Sequence, residues 1–125
     1  MNTQNPGLPP AMMFSARQER GIHVITLTNP NALEAFNVEQ LGEGIFHHLQ
    51  EFDAPRVVLD LHNVDLASSS ALGVLISLNS LIEHEGGKFC LANVSSGFGQ
   101  ILKMTKLEGL IQIHESMAQA LKSLA

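Results

Sequence analysis

Three consecutive serines, Ser68, Ser69 and Ser70, stand directly ahead of a segment whose apolar residues recur at helical spacing. Hydroxyls in that position suit the start of a helix, where a serine oxygen accepts from the orphan amides of the first turn. A hydrolase would need more. The Gly-x-Ser-x-Gly elbow is missing, and no His can be assigned by spacing as the base for any of the three. The six His raise metal binding, with His47-His48 as the closest pair. Neighbours on a helix point about 100° apart and cannot easily chelate one ion, and no His-x-x-x-His or Cys-His spacing supports them. No metal site and no cofactor are expected. Asp60 and Asp65 bracket the end of an apolar stretch, but neither has a basic or nucleophilic partner at recognisable spacing, and Asp65 reads as a solvated loop residue. No acid, base, nucleophile and anion hole converge, so no catalytic residues and no intrinsic turnover are expected.

Composition narrows the partners. The chain has 125 residues, enough for one domain with one core, and 45% of them are apolar with no Trp or Tyr, so that core is aliphatic with a few Phe. The formal charge of −5 repels a phosphate backbone, and the absence of stacking aromatics argues against single strands, so nucleic acid is not an expected partner. Apolar runs fall short of the roughly 18 residues needed to span a bilayer. Met1 to Pro10 is polar and Pro-rich instead of basic and then apolar, so no secretory signal is expected. The single Cys90 can form no internal disulfide, in keeping with a reducing cytoplasm.

The elements that must position the serines follow from periodicity. Residues 1–10 read as a loose arm and 11–125 as one domain. Met12 to Arg17 and His23 to Leu27 look like strands, joined by a polar turn over Gln18 to Gly21. Val38, Leu41, Ile45 and Leu49 predict a helix over 38–50 with Asn37 as N-cap. Arg56 to Leu61 is short and β-branched, as a strand buried on both faces should be. After the serines, Ala71, Val74, Leu75, Leu78, Leu81 and Ile82 form one core stripe that ends at Gly86-Gly87. Lys88 to Ala92 is the next strand, and Gly97 to Thr105 a helix capped by Ser95 or Ser96. Leu110 to His114 is an edge strand and Ser116 to Leu124 a last helix. The alternation predicts an α/β fold: a mostly parallel sheet of four to five strands with an N-terminal hairpin and about four helices.

This order of elements resembles the STAS domain, the anti-sigma-factor-antagonist type, from about Met12 to Leu124. Val57-Val58-Leu59-Asp60-Leu61 with Asn63-Val64 resembles the family's strand before its functional loop. Ser68-Ser69-Ser70-Ala71-Leu72-Gly73-Val74-Leu75 resembles its Asp-Ser-Ser/Thr-Gly-Leu-Gly-Val-Leu segment. Gly86-Gly87-Lys88, Asn93-Val94-Ser95 and Leu107 also match. The resemblance implies a non-catalytic, cytoplasmic regulator that binds an anti-sigma factor with serine-kinase activity or another STAS-binding protein, with a weak homodimer as a further association and no membrane insertion. It implies that Ser69 is the phosphoacceptor. Ser68 replaces the family's Asp and Ala71 its Gly. Some relatives bind partners or lipid-transport machinery without phosphorylation, so a constitutive adaptor in a stress-signalling or lipid-transport assembly is the alternative.

A phosphate on Ser69 would sit at the positive end of a helix dipole, leaving the fold intact while changing the surface a partner meets. Ser68, Ser69, Ser70, Leu72, Gly73, Ile76 and Ser80 form the expected partner-binding set, because Leu72 and Ile76 lie off the core stripe on the side shared by Gly73, Ser80 and Glu83. Either a partner or a neighbouring helix covers that pair. Gly21 to Gln40 separately resembles the opening of a crotonase, an acyl-CoA enzyme. The match spans only some twenty residues, in a chain about half a crotonase's length, and after Leu61 a serine cluster stands where that family's Gly-rich oxyanion loop belongs. Without those donors an enolate has no support.

Overall fold

The structure, a computed structural model, describes residues 13–35, 37–64 and 68–125. The proposed arm at Asn2 to Pro10 and the loop residue Asp65 lie outside them.

Strands β1 (Phe14–Glu19) and β2 (Ile22–Leu27) form an antiparallel hairpin. β1 runs two residues beyond the expected Arg17, and the turn is only Arg20-Gly21. Both turn residues have positive φ, 55° and 79°, a geometry whose twist matches that of the flanking strands. Next come α1 (Val38–Leu49), β3 (Arg56–Asp60) and α2 (Ser69–His84). They are followed by β4 (Lys88–Ala92), α3 (Ser96–Met104), a 3-10 turn at Leu107–Gly109, β5 (Gln112–His114) and α4 (Met117–Leu124). The five strands lie in sequence order, and every pair after the hairpin is parallel. β5 is an edge strand, shorter than expected because Leu110 falls in the turn before it and is exposed.

Alternation along the central strands sorts the core into two layers. Val57 and Leu59 of β3, with Phe89 and Leu91 of β4, face the large core under α1, α2 and α3. Val58, Cys90 and Ala92 face the smaller layer that α4 closes with Ala120 and Leu124. Gly87 allows the close approach of β4 to β3, since a Cβ there would collide with the Pro55 carbonyl that accepts from the Lys88 amide at 3.0 Å.

Two features of α2 depart from the stripe read off the sequence. Leu81 is not core: it is 39% exposed, at the edge facing α1. Asn79 takes an inward position instead, where its amide donates to the Leu110 carbonyl at 3.3 Å and to Glu83 Oε1 at 3.2 Å. A polar residue is tolerated inside because both its neighbours supply acceptors. Val74 is half-buried against Gly42 of α1.

Candidate functional site

Ser68 occupies the N-cap position of α2 with extended backbone, so Ser69 and Ser70 are the first two helical residues. Capping by the Ser68 side chain does not occur. Its hydroxyl donates instead to the Leu33 carbonyl at 3.0 Å, which also accepts from the Ser68 amide, and it lies 2.9 Å from Ser70 Oγ. Proximity explains the choice: the β2–α1 connection brings an unpaired type of acceptor, a loop carbonyl, within reach of both Ser68 donors. Ser68 is thereby pinned to the loop before α1. Ser69 and Ser70 are exposed. Asn37 departs from expectation in the same way, its amide donating to the Asn31 carbonyl at 2.8 Å in place of a cap bond. By contrast, Ser95 and Ser116 cap α3 and α4, accepting from Phe98 N and Gln119 N at 3.2 Å each.

On α2 the expected outward set divides. Ile76 is 37% exposed, Ser80 and Gly73 are exposed, and a Cβ on Gly73 would meet open space. Leu72 is only half-buried in the helix surface and packs against the large core, so it serves the fold as well as the face. At 100° per residue Ser69, Leu72, Gly73, Ile76 and Ser80 share one side of the helix. The stripe begins at Ser69 and continues about three turns down α2, and among the described residues no helix covers Ile76.

The main finding that sequence spacing did not reveal lies one strand-end away. Asp60, expected to lack a partner, is 7% exposed and fully engaged. Its Oδ1 accepts from Asn93 Nδ2 at 2.9 Å and from the His62 amide at 3.1 Å. Its Oδ2 lies 3.0 Å from His62 Nδ1 and 3.4 Å from Thr26 Oγ1, whose hydroxyl donates to it. Burial by itself would raise the Asp60 pKa, but the bonds from Asn93 and His62, with the charge of the His62 ring, outweigh it and hold the carboxyl below its usual range. The signals available in the sequence were the Asp-x-His spacing of Asp60 and His62, and an Asn directly after a strand, a residue type that tolerates the left-handed φ of 58° found at Asn93. Thr26, Asp60 and Ala92 are in register across β2, β3 and β4, so the network ties three strand ends together below the serine loop. That is the carboxyl edge of a parallel sheet, where open α/β folds place their binding loops.

The remaining candidates have structural roles. His48 turns inward, its ring 6.5 Å from His23 and 5.9 Å from Phe52, while His47 is exposed. Among the described residues no three His, Cys, Asp or Glu are grouped to hold a metal. Cys90 is buried beneath α4, and burial pushes its thiol up to about 11 despite a hydrogen bond with Ser123. No helix among the described residues is long and apolar enough to cross a membrane.

Comparison with known proteins bears on the fold. The anti-sigma F factor antagonist of Paenibacillus polymyxa is 23% identical over 113 residues, 90% of this chain and 95% of that protein. A candidate anti-sigma factor antagonist from Thermotoga maritima superposes with a TM-score of 0.79 at 22% identity, covering 92% of this chain and 97% of that one. The same fold occurs within the murine Solute Carrier 26 family member A9 anion transporter. There the TM-score is 0.73 at 16% identity, with 86% of this chain covered and 18% of the transporter. The model of the STAS domain matches residues 13–120, from the first residue before β1 to the middle of α4. With the hairpin, the serine turn and the parallel sheet in that order, the chain belongs to the STAS domain family.

Proposed function

We propose that this chain is a non-catalytic cytoplasmic regulator that docks on an anti-sigma factor with serine-kinase activity, and that phosphorylation of Ser69 ends the contact. The observation that carries the reading is the position of Ser69: exposed, first in a sixteen-residue helix, and at the head of the outward stripe of Gly73, Ile76 and Ser80. A partner seated on that stripe buries Ser69. Its phosphate would lie at the positive end of the α2 dipole, which favours the modified loop in its present conformation, and would add about 1.5 to 2 negative charges to the docking surface. The anti-sigma F factor antagonist similarity supports a partner of this class.

Ser68 can hydrogen-bond but carries no charge beside the acceptor hydroxyl, and it is committed to Leu33. Ala71 is buried at the start of α2 and reduces backbone freedom there. Both features favour slow transfer. Incubation with ATP and the kinase partner, followed by fragmentation mass spectrometry, should place phosphate on Ser69 and show faster transfer in Ser68→Asp. Phosphate confined to Ser68 or Ser70 would refute the assignment. Ser69→Asp should weaken partner affinity with little change in stability. The adaptor reading, in a stress-signalling or lipid-transport assembly, draws on the replacement of the acidic loop residue by Ser68 and on the shared fold with a transporter domain. It is favoured if Ser69→Asp binds as tightly as the parent.

A further inference from the structure

A second surface lies on the flank of α2 that faces α1, about a third of a turn around the helix from the Ser69 stripe. Gly42 has no side chain where α1 crosses α2, and a Cβ there would come within 2.7 Å of Val74 Cγ1. The two helices therefore sit close together over a shallow apolar trough. Three depressions of about 360, 290 and 530 Å³ share Phe46 as a common wall, and the first two also share Leu81. The first two run along the α1 side of α2, from Glu39 past the end of α1 to Pro55, and the third opens over the outer face of α1 at Gly44 and His47. The floor of the trough is Phe46, Val74 and the exposed edge of Leu81. Its rim carries the carboxylates Glu39, Glu43, Asp53 and Glu85, all exposed; among the described residues no Lys or Arg lines any of the three depressions, and His47 lines the third.

We infer that this groove is a docking site for a cationic amphipathic helix of a protein partner, distinct from the Ser69 face. An apolar floor with carboxylates along the rim suits a helix whose apolar residues recur at i, i+4 and i+7 and whose flanks carry Lys or Arg. Twelve-residue α1 sets the length of the track, about 18 Å, or some three turns of a bound helix. A second copy of this chain fits poorly, because it would oppose the same carboxylates across the interface. Residues 1–10 are no better an occupant, because they contain no Lys or Arg.

The test uses a fluorescent synthetic peptide of about sixteen residues, with Leu at i, i+4, i+7 and i+11 and Lys on both flanks, and its counterpart with Glu for Lys. The full chain should bind the Lys peptide saturably, more weakly as salt rises, and bind the Glu peptide at least about tenfold more weakly. Amide shift changes should fall on Gly42, Phe46 and Leu81 and spare Ser69 and Gly73. Leu81→Lys, and separately the Glu39→Lys/Glu43→Lys pair, should each weaken binding by about tenfold while melting as the parent does. Ile76→Glu and Ser69→Asp should leave it unchanged, so a failure of the Ser69 reading does not affect this result. The inference is overturned by absence of binding, equal binding of both peptides, shift changes on the Ser69 stripe, or retention of affinity by Leu81→Lys. It is also overturned if sedimentation shows a dimer that Leu81→Lys dissociates, since the groove would then belong to a second copy.

Discussion

Among the described residues, Asp60 and His23 are buried and titrate in the acid to neutral range. Asp60 is held ionised by donors from Asn93 and His62, so its folded pKa lies below the unfolded value near 4. Its contribution is therefore present above about pH 4 and is lost as pH falls through the lowered folded value. Asp60→Ala should cost about 1–3 kcal/mol in urea denaturation at pH 7, with the gap to the parent narrowing below pH 4. His23 is buried against Phe52, ring centroids 4.3 Å apart. Burial first, and repulsion from His48 second, lower its pKa below 6.5. The fold thus favours neutral His23, and stability should fall as pH drops from about 6.5 towards that lower folded value. His23→Phe should flatten denaturation midpoints measured between pH 5 and 8; an undiminished slope would place the effect elsewhere. The place of the Ser69 hydroxyl at a helix start was readable from three serines beside a helical stripe. The Asp60 network was not, because Asn93 lies 33 residues away and only the register of β3 and β4 brings the two together. The reading of the three serines as capping groups fails at Ser68 for a similar reason: the carbonyl that captures its hydroxyl comes from a loop 35 residues earlier.

Helix α2 has three surfaces with different duties, and substitutions should separate them. Leu75 is buried in the large core, and Leu75→Glu should unfold the domain by placing a charge among aliphatic side chains. Ile76→Glu, one residue on and outward, should keep the far-ultraviolet spectrum and melting temperature while disrupting partner complexes. If Ile76→Glu also unfolds the monomer, the docking stripe is misplaced. The third surface is the Val74 and Leu81 edge beside α1. The order and type of the strands and α-helices were legible, since most segments carry their own period and a Gly, Pro, Ser or Asn boundary, but the 3-10 turn at Leu107–Gly109 was not. The sorting of α2 residues was less so. Periodicity marks an apolar arc but not its limits: Leu81, at the edge facing α1, falls outside the core, while Asn79, given two acceptors, falls inside. The hairpin turn was overestimated because Gln18 and Glu19 are polar, yet they pair with His23 and Ile22 on a sheet edge that faces solvent.

Across the whole molecule the sheet is covered unequally, by three helices on one face and by the eight residues of α4 on the other. α4 is fastened at few points. Ala120 and Leu124 pack on Val58 and Cys90, and Arg56 Nη1 donates to the Leu124 carbonyl at 2.7 Å. A short terminal helix so held should detach with a lower free energy than the body of the domain unfolds. Cys90 makes that event countable. Its thiol is sealed under α4 and raised to about 11, so a thiol reagent reaches it only when the helix has lifted. Labelling in native buffer should proceed faster than global unfolding allows, depend weakly on low urea, and accelerate in Arg56→Ala, which removes the clamp. A labelling rate that tracks global unfolding would mean that α4 and the sheet open as one unit. The chain thus carries its own clock: one cysteine, placed where a single departing helix exposes it, converts a transient opening into an irreversible and measurable mark.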